Sequence, residues 1–218
     1  MKLPAAQQEL VEKLNANVTT GLSSDQATDR REREGFNVVK PPVDCPAWIC
    51  CLLPCIKNVP SMKAFAQIRP EDAEILRNGK WIRYDASSLV TGDVIRLEEG
   101  DQVPADCIVL SVESGGELLV DMRAVTGEDK PRSAKVMEDN GQQQQYAMQL
   151  FWGGTVVQGS GLAIVTAIGM QTFVAGLIRD KRFPPTENVL LPKEENTVTV
   201  GGGGEDEGIS LIDRREPV

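Results

Sequence analysis

Short apolar runs, each cut off within a few residues by Gly, Asn, Asp or Pro, fill the middle of this 218-residue chain. Glu74-Ile75-Leu76-Arg77 and Lys80-Trp81-Ile82-Arg83 flank Asn78-Gly79. That dipeptide tolerates positive φ at both positions and is the strongest short hairpin signal. Asp93 to Leu97 reads as a strand, followed by a turn at Glu99-Gly100-Asp101. Asp106 to Val112 is the next strand, Ser114-Gly115-Gly116 turns, and Glu117 to Asp121 is another. Thr155 to Val157 and Leu162 to Thr166 form a later pair joined by Gly159-Ser160-Gly161. Runs this short and this regularly punctuated predict a mostly β, sandwich or jelly-roll-like domain over residues 63–183. A helix over Thr172 to Lys181 closes it.

Three flanking stretches have a different texture. Residues 1–40 predict two helices. Leu10, Val11 and Leu14 recur at helical spacing in the first, and Ser23 with Gln26 has capping-box spacing at the start of the second. Gly35 supplies its end, and the polar DQATDRRERE run reads as a solvated face. Residues 41–62 form a Cys/Pro-rich segment. Residues 184–218, with Pro184-Pro185, Gly201 to Gly204 and Glu205-Asp206-Glu207, lack the apolar surface to repay ordering and predict a disordered acidic, Gly-rich tail. Gln142 to Gln145 reads as a loop insertion for the same reason. The charge-free stretch from Asn140 to Ile178 ends in Gly161 to Ile178, about as long as a membrane span. Thr166, Gln171, Thr172 and three glycines dilute it, and it predicts a buried strand, a turn and an amphipathic helix instead.

Composition removes whole classes of chemistry. The sequence has no histidine, so Ser-His and Cys-His nucleophile pairs and His-ligated metals are out of reach. Its net charge of −9 lacks the basic footprint that nucleic-acid binding needs. Met1 to Asn17 is polar and predicts no secretory signal, which favours a reducing, cytosol-facing location over a disulfide scaffold.

The chemistry-bearing strings cluster between residues 87 and 131. Leu89-Val90-Thr91-Gly92-Asp93, Gly100-Asp101-Gln102-Val103-Pro104-Ala105-Asp106 and Val120-Asp121 precede Thr126-Gly127-Glu128. Gly154-Thr155-Val156-Val157 and the Gly169 to Thr172 helix entrance follow in order. On their own terms the Gly-Asp pairs suit tight turns, where the carboxylate accepts bonds from nearby backbone N–H groups. Nothing about folding calls for a carboxylate at Glu128. The whole series resembles the actuator domain of P-type cation-transporting ATPases, a distorted jelly roll. Upstream, Gly21-Leu22-Ser23-Ser24, Arg31 and Gly35-Phe36-Asn37 resemble the family's amino-terminal cytosolic segment.

The resemblance implies that Glu128, carried by Thr126 and Gly127, lies against an aspartyl phosphate and positions the water that hydrolyses it, work suited to a general base. The bland alternative is an exposed loop glutamate without a task. Two departures bear on this. Asp129 stands where the family has serine, adding a second carboxylate beside the phosphoryl group, and Met122-Arg123 replaces the usual Glu-Ser. The family's phosphorylation string Asp-Lys-Thr-Gly-Thr is missing, since aspartate precedes lysine only at Asp129-Lys130 and Asp180-Lys181. Phosphoryl transfer needs nucleophile, metal and phosphate clamps together. The isolated chain is therefore expected not to be an ATPase, and to bind no nucleotide, cofactor or metal.

In the family two membrane helices separate the amino-terminal segment from the actuator domain; here the Cys/Pro segment holds that place. Cys45, Cys50, Cys51 and Cys55 among Trp48, Ile49, Leu52 and Leu53 fit S-acylation at a membrane surface. Zinc binding and a hydrophobic hook packed on the β domain are the alternatives, and Cys107 reads as a core residue. The expected role is that of a free-standing actuator-like domain, regulatory or accessory to a membrane-bound partner such as a complete P-type ATPase. It would sit at the cytosolic face of a membrane, or otherwise in the cytoplasm. A component of a split ATPase that supplies the Thr-Gly-Glu loop, and a non-functional fragment, are the other readings.

Overall fold

The computed structural model describes residues 3, 5–43, 59–112, 117–134, 149–186 and 189. Helices α1 (Ala5–Lys13), α2 (Ser24–Glu34) and α3 (Pro60–Gln67) precede strands β1 (Asp72–Arg77), β2 (Lys80–Asp85), β3 (Val94–Leu97), β4 (Asp106–Val112) and β5 (Leu118–Asp121). A helical turn α4 (Arg123–Thr126), strands β6 (Arg132–Ala134), β7 (Gln149–Leu150), β8 (Thr155–Gln158) and β9 (Gly161–Ala167), and helix α5 (Phe173–Arg179) complete the order. One sheet runs β2-β1-β3-β9-β4-β7 and a second runs β6-β5-β8, all pairs antiparallel. The mostly β architecture with N-terminal helices and a closing helix agrees with the sequence reading.

The hairpin forms at Asn78 (φ 50°) and Gly79 (φ 72°), as the primed turn requires. Gly161 to Ile178 resolves into β9, a short 3-10 turn at Gly169–Gln171 and α5. No helix among the described residues is long and apolar enough to cross a membrane. Helix α3 was not foreseen. It crosses the expected boundary at residues 62/63 and owes its place to Phe65, whose ring stacks on Trp152 at 5.5 Å.

The central strands are apolar on both faces, and the reason is where the amino-terminal segment lies. Ile75, Ile95, Val109 and Val165 point into the main core, which is shared with Leu118, Val120 and Val156 of the second sheet. Their neighbours Leu76, Val94, Leu110 and Ile164 face the other way and pack against Leu10, Val11 and Leu14. A sheet buried on both sides loses polar alternation. Edge strand β2 has no such cover and is mostly exposed.

Polar contacts fix this docking. The α2 capping box is formed: Gln26 N–H donates to Ser23 Oγ at 3.1 Å, and Ser23 N–H donates to Gln26 Oε1 at 2.9 Å. Arg30, on the same helix, donates to the carbonyls of Thr91, Leu14 and Asn15. Asn37 gives its amide hydrogens to the Ala86 and Pro104 carbonyls, while its oxygen accepts from Gly169 N–H at 2.8 Å. Gly21 runs so close to β1 that a Cβ there would stand 1.8 Å from the Leu76 carbonyl oxygen. Only glycine fits.

Two buried aspartates anchor the turns. Asp93, fully buried, accepts from Arg77 at 3.0 and 2.6 Å and from Val90 N–H at 2.9 Å. Burial pushes its carboxyl up, while the guanidinium and the N–H pull it back. Among the described residues no cation pairs with Asp106. Its two oxygens accept from Trp152 N–H (2.9 Å) and Phe173 N–H (2.7 Å), tying β4 to the chain beyond β7 and to the start of α5. Burial raises its pKa from 3.8 to about 6.

Between those two values the folded chain holds a proton that the unfolded chain has released, so this group's contribution favours folding at the acid end. It is lost as pH rises through about 6, a change of about 3 kcal/mol. Asp106→Asn removes the titration but points an amide NH2 at a backbone donor. Urea unfolding at neutral pH should show the variant less stable by about 1–3 kcal/mol. The wild-type advantage should be larger at the acid end and shrink as pH rises to about 6; a gap independent of pH would contradict the burial argument.

Candidate functional site

Thr126-Gly127-Glu128 lies at the end of α4, a single helical turn hung between β5 and β6. The turn forms because Asp121 Oδ1 accepts Arg123 N–H at 2.9 Å, and the Met122 carbonyl then accepts the N–H groups of Val125 and Thr126 at 2.9 and 2.7 Å. Met122, Val125 and Thr126 are wholly buried, so the core clamps the turn from beneath. Gly127 ends it in the left-handed region (φ 75°, ψ 17°), its N–H donating to the Arg123 carbonyl at 3.0 Å. That reversal brings the Glu128 side chain back beside Thr126.

The Glu128 carboxylate is not loose. Its Oε2 accepts from Arg132 Nη2 at 2.9 Å and lies 3.0 Å from the Thr126 hydroxyl, which also reaches the Met122 carbonyl at 3.1 Å. One proton serves both acceptors of that hydroxyl in turn. The Glu128 side chain is 20% exposed and the Arg132 side chain 8%. Arg132 opens β6 opposite Val120, donates from Nη1 to the Gln149 carbonyl at 2.6 Å and stands 5.7 Å over the Phe151 ring. Phe151 in turn stacks on Phe173 at 4.5 Å.

Asp129 is exposed, and its backbone carbonyl accepts from Arg123 Nη2 at 2.8 Å, so the loop is held on both sides of Glu128. On the inner side, Val189 N–H donates to the Thr126 carbonyl at 2.9 Å, and its side chain packs on the main core.

The three sequence-predicted site residues are thus neighbours in one small structure. Arg132 was missed. Its only signal was a positive charge four residues after Glu128, a spacing that means contact in a helix but carries no such meaning across a turn into a strand. Cys45, Cys50, Cys51 and Cys55 lie outside the described residues. Cys107 is fully buried in the main core, and burial next to Asp106 pushes its thiol up. Among the described residues no group of three or more His, Cys, Asp or Glu could hold a metal ion.

Residues 67–181, which carry both sheets, the turn and α5, match the P-type ATPase actuator domain. The chain belongs to that family. Residues 5–58 match a second family, the cation transporter/ATPase N-terminus, in agreement with the docked amino-terminal helices. The endoplasmic reticulum calcium ATPase srcA of Aspergillus fumigatus is 33% identical over 120 residues, covering 54% of this chain and 12% of that protein. The endoplasmic reticulum-type calcium-transporting ATPase 2 of Arabidopsis thaliana is 36% identical over 123 residues, covering 55% and 12%. A sodium/potassium-transporting ATPase subunit alpha-A of Artemia franciscana aligns over 217 residues at 24% identity, covering 74% of this chain and 22% of that one. The actuator chain therefore spans between about an eighth and a fifth of the length of these relatives. Among solved structures, a zinc-transporting PIB-type ATPase in its E2.Pi state aligns with 54% of the chain, and 17% of its own, at 26% identity and a TM-score of 0.43.

The actuator turn depends on the handedness of Gly127. Gly127→Ala keeps every partner but places a Cβ in the left-handed region, at a cost of about 1–2 kcal/mol. Urea unfolding should register that loss, and the amide shifts of residues 126–129 should move. A variant as stable as wild type would mean that the turn does not hold this geometry.

Proposed function

We propose that this actuator unit acts on a membrane-bound P-type ATPase phosphorylated on aspartate, bringing Glu128 against the acyl phosphate to orient the hydrolytic water. The observation that carries the reading is the Glu128 carboxylate itself: partly exposed, fixed by Thr126 and Arg132, and mounted on a turn clamped into the core. A carboxylate that only decorated a loop would need none of these supports. The phosphorylated unit belongs either to another chain, as in a regulatory, accessory or split arrangement, or to the same polypeptide. In both cases the chemistry asked of this domain is the same.

The nucleophile and the nucleotide site belong to the partner in this scheme. Incubated with radiolabelled ATP, the purified 218-residue chain should form no acid-stable phosphoenzyme. Label on any aspartate would overturn that assignment. The positive test is complementation in trans. A calcium-transporting P-type ATPase arrested as its aspartyl-phosphate by a Glu→Gln change in its own loop should lose its label faster when the chain is added. Glu128→Gln in the chain should abolish the acceleration. Equal decay with wild-type and variant chains would sink the water-orienting role.

The cysteine-rich segment adds the second half of the proposal, attachment at the cytosolic face of a membrane. Residues 45–56 are too few to span about 30 Å of hydrocarbon, and Pro46 and Pro54 oppose a continuous helix. The net charge of −9 opposes anionic lipid, so the attachment needs acyl chains, and two or more on Cys45, Cys50, Cys51 and Cys55 give stable residence. Hydroxylamine should release the protein from membranes, as should replacement of all four cysteines by serine. A tetra-serine variant that stays bound would refute acylation.

A further inference from the structure

We infer that Arg132 is the positioning residue for Glu128, and that it works by dividing the two carboxylate oxygens into one that is held and one that acts. This rests on the reading of Glu128 as the water-orienting group. Both hydrogen bonds to the carboxylate, from Arg132 Nη2 and from the Thr126 hydroxyl, fall on Oε2. Oε1 takes neither, and in a side chain that is 20% exposed it is the oxygen left to accept a proton from water.

Arg132 can serve as a fixed post because it is itself immobilised. Its guanidinium is bonded to the Gln149 carbonyl, lies over Phe151 and is 8% exposed, while its backbone is registered against Val120 in β6. The planar fork matters here. One N–H group reaches Gln149 and another reaches Glu128 without either side chain moving, whereas a lysine ammonium offers one point charge with no face to lay on a ring. A glutamate has three rotatable bonds, and on an unsupported loop it would wander among rotamers. Freezing them before the phosphate arrives leaves the reactive oxygen in place at no further entropic cost.

The test uses the full 218-residue chain and its Arg132→Gln and Arg132→Lys variants, with Glu128→Gln as the control. Three-bond NMR couplings report whether the Glu128 side chain occupies one rotamer. In the trans dephosphorylation assay, the dependence on chain concentration separates docking from turnover. Wild type should show one Glu128 rotamer and Arg132→Gln an average of several, with its fold retained by circular dichroism. The half-saturating concentration should stay within about twofold, while the maximal rate falls by about ten- to a hundredfold. Arg132→Lys should recover part of both the rotamer order and the rate.

An ordered Glu128 in Arg132→Gln overturns the proposal. So does an unchanged maximal rate in a variant series where Glu128→Gln is inactive. If wild type and Glu128→Gln decay the phosphoenzyme alike, it is the function reading that has failed. The couplings then decide alone: averaging in Arg132→Gln keeps the positioning role and a single rotamer removes it.

Discussion

The structure hangs on a carboxylate that binds only backbone. Asp106 starts β4, and its two oxygens hold the N–H groups of Trp152 and Phe173, residues that follow β7 and begin α5. Burying that carboxyl is costly enough to raise its pKa to about 6, and the two charge-assisted bonds offset the cost. What the fold gains is placement. Trp152 takes the stacking contact with Phe65, and Phe151 and Phe173 come together face to face. Phe151 then lies under the Arg132 guanidinium. A chain of direct contacts runs from a buried turn to the carboxylate of Glu128.

The amino-terminal segment is part of the same construction. Without α1 and the residues that follow it, Leu76, Val94, Leu110 and Ile164 would lie open on the sheet, an exposed patch of the kind that drives association. Arg30 and Asn37 bond only to backbone groups: Asn37 to Ala86, Pro104 and Gly169, and Arg30 to the Thr91 carbonyl ahead of β3 and to the Leu14 and Asn15 carbonyls of the segment itself. Those contacts do not depend on the side chains of the partner loops. The docking is therefore written mostly in the segment itself, through Gly21, the α2 capping box, Arg30 and Asn37.

Features that act over a few residues were legible in advance. The Asn78-Gly79 hairpin, the capping box at Ser23 and the division of Gly161 to Ile178 into strand, turn and helix all follow from local rules, and each is present. Glu128, Thr126 and Gly127 were singled out as candidates through resemblance, because the order of motifs is specific. Helix α3 was not foreseen, since its eight residues carry one buried anchor and no side-chain cap, with Pro60 at the first position as its one start signal. Nor was the pairing of Asp93 with Arg77, which joins the end of β1 to the turn before β3, 16 residues on. Arg132 escaped for a related reason. Its contacts depend on a strand register and a ring from beyond β7, neither of which leaves a periodic trace.

The same long-range origin bears on the proposed approach of this acidic loop to a phosphoryl group. Glu128 and Asp129 together would repel an approaching anion, and an unsupported pair would also turn towards solvent. The structure separates their fates. Asp129 stays exposed, with its carbonyl held by Arg123, while Glu128 is turned back against Arg132. A cation tied to Glu128 cancels much of the charge that the phosphate would meet, and its exclusion from water makes that cancellation stronger than on an open surface. The serine that the family carries after this glutamate presents no such problem. Here aspartate stands in its place, and the Glu128–Arg132 pair offsets one of the loop's two carboxylate charges while Asp129 stays in solvent.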